Sequence, residues 1–321
     1  MKALVLTWLV VAIILTSAGF ADAVTVDWIS IGNPENVADD TGFGSVAESY
    51  RISRNEVTVS QYAEFLNAVA QSDAHELFAP EMQTWQGITR TGSERSYLYT
   101  VTSGRENIAM GHVRFSNALR FANWMHNGQG NGDTESGAYT ISGTSYSDGS
   151  IVRNPDASIF LPSEDEWYKA AYYDSDTSSY FEYPTSSQSP GTCSAPSAAP
   201  NRANCAGVTS FGSGLTVVGS YTGSASPYGT FDQGGNAWEW NESWLVGESG
   251  GLRGGGNGSN QITGAWGDMR ASYRGGDDGG PAPGGQDIAY GFRLAAPIPE
   301  PTTALLVGLG LLGLCVRRNR Q

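Results

Sequence analysis

Lysine, histidine and cysteine are scarce in this chain of 321 residues. Its lysines are Lys2 and Lys169, its histidines His75, His112 and His126, and its cysteines Cys193, Cys205 and Cys315. With 32 acidic against 18 basic side chains the net charge is −14. Phosphate contacts need clustered Lys and Arg, so nucleic acid is excluded as a partner. The same deficit argues against holding an anionic membrane surface through the body. No CxxC pair and no Cys/His spacing for zinc occurs. Charged residues make up only 16% of the chain, and long apolar runs lie only near its two ends. What is abundant is aromatic residues and glycine: 9 Trp, 15 Tyr, 11 Phe, 42 Gly and 14 Pro, with 40% apolar residues. That composition supplies a packed core and excludes a disordered chain. It favours short elements joined by many loops. No fixed repeat or linker divides the body, which reads as one domain.

The ends read as address segments. Met1-Lys2, the apolar residues 3–15 and the small-x-small ending Ala21-Asp22-Ala23 form a secretory signal peptide over 1–23. The run is shorter than the roughly 20 residues a spanning helix needs. At the other end Pro299-Glu300-Pro301 precedes the apolar residues 302–316, and Arg317-Arg318-Asn319-Arg320 follows. Prolines on one side and arginines on the other keep the basic end cytoplasmic. This segment, 298–321, resembles the PEP-CTERM sorting signal of Gram-negative bacteria. The resemblance implies recognition by an exosortase and export to the cell envelope or extracellular matrix, with at least transient anchoring in the membrane through the C-terminal helix. The exported body is then 24–297. In an oxidising compartment Cys193 and Cys205 are expected to form a loop-stapling disulfide; two free thiols are the alternative. Cys315 sits within the terminal apolar run.

Inside the body, residues 27–31 and 50–57 look extended. Thr58 with Gln61 is a capping box, followed by Tyr62, Phe65, Leu66 and Val69 at helical spacing. A second helix is expected after Ser116, with Ala118, Leu119, Ala122 and Met125 on one face. Ser163 with Glu166 opens a third, and helical periodicity stops beyond Tyr173. Arg253, Arg270, Arg274 and Arg293 sit in an acidic body, which favours internal pairing of their guanidinium forks.

The order of these motifs is distinctive. Glu56-Val57-Thr58 leads into Gln61-Tyr62 and Phe65-Leu66, and Ser116-Asn117-Ala118 into Phe121-Ala122-Asn123-Trp124. Leu161-Pro162-Ser163-Glu164 comes next, with Glu166-Trp167 and Ala170-Ala171. Gly235-Asn236-Ala237-Trp238-Glu239-Trp240, Leu252-Arg253-Gly254-Gly255 and Gly291-Phe292-Arg293-Leu294 complete the series. The series resembles the formylglycine-generating enzyme, or sulfatase-modifying factor, family across nearly the whole body. The resemblance implies an α+β fold, a variant of the C-type-lectin-like fold with little regular secondary structure.

Asp232 and Glu239 lie seven apart around Gly234-Gly235, so they converge only if the loop folds back. Carboxylates combined with main-chain carbonyls suit a hard, flexible cation such as calcium. The resemblance places calcium on the side chains of Asp232 and Glu239 and the carbonyls of Gly235 and Ala237. The alternative is that Glu239 pairs with an arginine between core tryptophans. The family's oxidase chemistry uses two copper(I)-binding cysteines between the Arg-Gly-Gly and Gly-Phe-Arg motifs. Residues 252–293 contain no cysteine, Ser259 and Thr263 or Gly264 lying near the expected positions. Oxygen is a poor ligand for copper(I), so no copper is expected. The sulfoxide-synthesising relatives carry an extra N-terminal domain with histidine-bound iron, for which residues 24–50 have neither room nor histidine. The expectation is therefore a calcium-stabilised, noncatalytic binding or matrix protein at the cell surface. Its candidate polysaccharide or surface-protein ligand would meet Asn257, Ser259, Trp266 and Tyr273. The competing expectation is an oxidoreductase that forms formylglycine from protein cysteine by divergent chemistry.

Overall fold

A computed structural model describes residues 23–141, 151–209, 214–245, 249–258, 269–275 and 289–299. Residues 1–22 of the expected leader, residues 300–321 of the sorting tail, and Ser259 and Trp266 lie outside the described residues.

In chain order the elements begin with β1 (Trp28–Ile31) and β2 (Tyr50–Ser53), then α1 (Val59–Val69) and a short π-turn at Met82–Gln86. The hairpin β3 (Ile88–Thr91) and β4 (Leu98–Val101) follows, then α2 (Phe115–His126) and α3 (Glu164–Tyr172). Four two-residue strands come next: β5 (Tyr173–Asp174), β6 (Ser179–Tyr180), β7 (Thr192–Cys193) and β8 (Arg202–Ala203). The last four are β9 (Trp238–Leu245), β10 (Ser249–Arg253), β11 (Tyr290–Phe292) and β12 (Ala295–Pro297). Among the described residues, three α-helices among many short strands make an α+β body with little regular structure.

Both expected capping boxes form. Thr58 Oγ1 accepts the Gln61 N–H at 3.3 Å while the Thr58 N–H reaches Gln61 Oε1 at 2.9 Å. Ser163 and Glu166 repeat the exchange at 3.1 and 2.7 Å. The second helix starts at Phe115, one residue before Ser116, and its N-cap Arg114 makes no side-chain cap bond. The extended segment beginning at Tyr50 forms strand only as far as Ser53, because the chain turns at residues 54–56 toward α1.

Two three-stranded sheets frame the molecule. In one, β2 lies between β1 and β12, all antiparallel, with Ile52 opposite both Ile29 and Ala295. In the other, β9 runs antiparallel to β10 and parallel to β11. The helices supply the core between them. Phe121 lies edge-on to Phe65 at 5.3 Å and to Phe292 of β11 at 5.2 Å, and Phe65 meets Trp124 at 5.4 Å. Such aromatic geometry adds about 0.5–1.5 kcal/mol per pair beyond area burial. This packing joins the start of the chain to its end and holds β9 at the centre.

Candidate functional site

The loop before β9 is shaped by residues in an unusual backbone conformation. Asp232 (φ +60), Gly235 (φ +81) and Asn236 (φ +60) all adopt the left-handed conformation. A Cβ on Gly235 would stand 2.5 Å from the Asn204 carbonyl oxygen, and one on Gly254 2.7 Å from that of Gln233. Glycine is therefore required at both close approaches. Gly235 N–H bonds Gly254 O and Asn236 N–H bonds Asn204 O, each at 2.8 Å.

Asn236 is the hub of the loop. Its Oδ1 accepts from Thr216 N at 2.9 Å and from Asn204 Nδ2 at 3.0 Å, and its Nδ2 donates to Glu56 Oε1 at 2.8 Å. The disulfide Cys193–Cys205, with Cα atoms 5.0 Å apart, ties β7 to the residue after Asn204. The staple thus supports the residue against which the loop closes.

Buried charge is arranged in two ways here. Glu239 and Arg293 are both fully buried and form a two-point pair, Arg293 Nε–Oε2 at 2.5 Å and Nη2–Oε1 at 2.6 Å. Trp167 Nε1 adds a third donor to Glu239 Oε2 at 2.7 Å. At the start of α3, Glu164 Oε1 accepts from Arg253 Nε, Oε2 accepts from Asn241 Nδ2 at 2.8 Å, and Arg274 lies 3.3 Å away. Arg253 also donates to the carbonyls of Ala271 and Tyr273. The arginines of both Arg motifs are therefore internally paired.

Glu56 and Asp232 differ. Asp232 Oδ2 accepts the Gly219 N–H at 2.6 Å, and Glu56 Oε2 is buried with no hydrogen-bond partner. Neither carboxylate has an ion pair among the described residues. Burial, followed by the charges of Asp232 and Glu239, pushes the Glu56 carboxyl well above the ordinary range against the pull of Arg293. Burial also raises Asp232 to about 6, against the opposing Gly219 N–H and Arg293. Three carboxylates thus share one guanidinium. Glu56 lines a cleft of about 200 Å³ with Thr25, Asp27, Asn55, Thr58 and Gln61. Asn55 Oδ1 is a second buried oxygen there without a partner.

Among the described residues no three His, Cys, Asp or Glu side chains converge closely enough to hold a metal by themselves. A cation here would need amide or main-chain oxygens as well, which is the mixed donor set calcium takes. The orphaned Glu56 oxygen and the unbalanced charge fit such an ion. Glu239 fits less simply, because Arg293 and Trp167 occupy one side of its carboxylate; each oxygen keeps a further lone pair. Glu56 and Asn55 went unread as donors in the sequence. Glu56 opens the first motif of the series, but in the chain it registers only as the residue before a helix cap.

Of the candidate ligand-binding residues, Asn257 is buried, its N–H bonded to Asn236 O and its carbonyl accepting from Gly207 N. Tyr273 is half-buried, with its ring 6.1 Å from that of Trp238.

Residues 297–320 match the PEP-CTERM protein-sorting motif, the signal that an exosortase recognises and that directs export to the Gram-negative cell envelope. The fold is similar to the crystal structure of CarF, with TM-score 0.53 at 17% identity over 86% of this chain and 99% of that one. Treponema denticola variable protein 1 gives TM-score 0.46 at 16% identity over 84% and 95% of the two chains. PvdO from Pseudomonas aeruginosa gives 0.41 at 16% over 85% and 92%. No curated protein matches the sequence. Residues 30–298 match the sulfatase-modifying factor enzyme 1-like domain, and the chain belongs to that family.

Proposed function

We propose that the chain is an exported, calcium-stabilised member of its family that binds a surface ligand, polysaccharide or protein, in place of oxidising cysteine. The observation that carries the noncatalytic part is where sulfur lies. The body's two cysteines are joined to each other upstream, and residues 252–293 offer none between the two Arg motifs. The hydroxyl of Ser259 is no substitute, because copper(I) selects thiolate. Calcium is supported by the excess of buried carboxylate at Glu56, Asp232 and Glu239 over Arg293. Its donors would be the side chains of Asp232 and Glu239 and the carbonyls of Gly235 and Ala237, with the Glu56 carboxylate adding to the local negative charge. Bound calcium would tie the loop before β9 to β9 itself and hold the binding surface in shape.

Two measurements test this reading. Calcium titrated into the purified body in a calorimeter should give heat that Asp232→Ala removes; no heat, or heat unchanged by the substitution, ends the calcium assignment. Incubation with a cysteine-containing sulfatase peptide should leave its mass unchanged, and an aldehyde product at useful turnover would overturn the noncatalytic reading. The ligand surface is assigned to Trp266 and Tyr273, so alanine at both should abolish retention on a glycan array or in a pull-down from envelope extract.

A further inference from the structure

The C-terminus of α2 is built to hold the beginning of the exported body. Gly128 (φ +83) ends the helix, with its N–H on Met125 O at 3.2 Å and the next N–H, from Gln129, on Trp124 O at 2.9 Å. This pair of backbone bonds is a Schellman closure. Gln129 itself sits at φ +62, which is unfavourable for a residue with a Cβ. Its carboxamide grips a single residue from both sides. Oε1 accepts from Val24 N at 2.6 Å, and Nε2 donates to Val24 O at 2.8 Å. Further along, Gln61 Nε2 donates to Thr25 O at 2.9 Å, and the Arg54 N–H bonds Asp27 O at 2.8 Å. Residues 24–27 are thereby held in one register, and Thr25, Val26 and Asp27 also form a wall of the cleft beside Glu56.

A cavity of about 240 Å³ opens at Val24, lined by Ala23, Glu64, Asn67, Trp124 and Gln129 among others. Glu64 is the charged residue of that lining, and no cation accompanies it. Its carboxylate makes no hydrogen bond or ion pair among the described residues. A peptide N–H at Val24 has one proton, already given to Gln129, and leaves Glu64 unanswered. An ammonium at the same nitrogen has three protons and a positive charge. Capture of a terminal amine by oriented acceptors is a known recognition mode.

We propose that the leader is cut between Ala23 and Val24, and that the Val24 α-ammonium so created docks between Gln129 and Glu64 as a built-in ligand of the fold. The cut is a hydrolysis by a leader peptidase. Water adds its hydroxyl to the Ala23 carbonyl carbon, the C–N bond breaks, and the Val24 nitrogen takes up the protons. The Ala21-Asp22-Ala23 pattern and the Gln129 grip are independent observations, yet both select Val24.

The chain makes the test clean, because Lys2 leaves with the leader and Lys169 is fully buried. Burial lowers the pKa of Lys169 to about 8, so peptide mapping after amine-reactive labelling scores the terminus apart from it. Intact mass and N-terminal sequencing of protein exported from a Gram-negative host should begin at Val24. A carboxylate beside the ammonium lowers the fraction of free amine, each pKa unit being about tenfold. At pH 7 the terminus of the native protein should label about tenfold more slowly than that of Glu64→Gln or Gln129→Ala. Glu64→Gln alters a partly exposed helix face and keeps the fold, so it decides the matter even if Gln129→Ala melts. A mature terminus at any other residue, or equal labelling rates in native protein and Glu64→Gln, overturns the assignment.

Discussion

Two groups of buried carboxylates lie within one scaffold and are neutralised differently. Glu164 and Glu239 each meet an arginine fork and further donors, and with their arginines they form closed units. Glu56 and Asp232 have an amide donor apiece, one orphaned oxygen and no cation of their own. The first arrangement is structural: each carboxylate is met by an arginine and further donors inside the fold. The second is an unpaid desolvation cost, which persists only if a proton or a metal ion meets it. Family motifs supply both, so membership alone does not say which carboxylates are free.

The largest way to break that contrast is Arg293→Ala. It strands Glu239 at zero exposure, and losing one partner of a buried pair costs about 3–5 kcal/mol. Urea denaturation should show most of the body's stability gone, and Arg293→Lys should recover little, since one ammonium cannot span both oxygens. If Arg293→Ala unfolds at the native midpoint, the closed unit is not structural.

The pH profile sharpens the other half. Burial lifts Asp232 from 3.8 to about 6, so between those values the folded state keeps a proton the unfolded chain has released. That contribution is complete below about pH 4 and is lost as pH rises through 6, at about 3 kcal/mol for a shift near two units. In EDTA the midpoint should therefore decline across this window. Calcium at about a hundredfold excess over its Kd should restore roughly 2.7 kcal/mol at pH 7.5 and nothing below pH 4. Glu56→Gln combined with Asp232→Asn should flatten both effects, and a calcium effect that survives in the double variant would place the ion elsewhere.

Removing the staple is a comparable perturbation with an indirect route to the loop. Cys193→Ser with Cys205→Ser opens a closure of 12 residues, for which chain entropy gives about 3 kcal/mol. Because Cys205 follows Asn204, the double variant should also weaken calcium binding, whereas a purely entropic staple would leave affinity unchanged. The smallest expected effect is at Ser163→Ala. Loss of that cap should cost about 1 kcal/mol in thermal denaturation and leave calcium affinity untouched.

Much of the fold is legible in the sequence. Helix starts are local chemistry, so Thr58 with Gln61 and Ser163 with Glu166 could be read directly from spacing. The acidic body predicted internal pairing of Arg253, Arg270, Arg274 and Arg293, and Arg253 and Arg293 pair with buried Glu164 and Glu239. Other features were not legible, because they depend on what fails to arrive in space. Glu56 looks like any residue before a cap until its second oxygen is seen to have no donor. Asn257 looks like a display residue among glycines, yet its backbone bonds Asn236 and its side chain is buried. Gln129 carries no motif at all; its role exists only because the end of α2 and Val24 meet across 105 residues.

The amino-acid sequence alone determined the sorting tail, the family and the capped starts of α1 and α3, since each depends on residue identity and short-range spacing. Only the tertiary structure decided which carboxylates are answered by arginine and which face a cleft. Desolvation and pairing are set by the distances between segments far apart in the chain, and no local pattern encodes those distances.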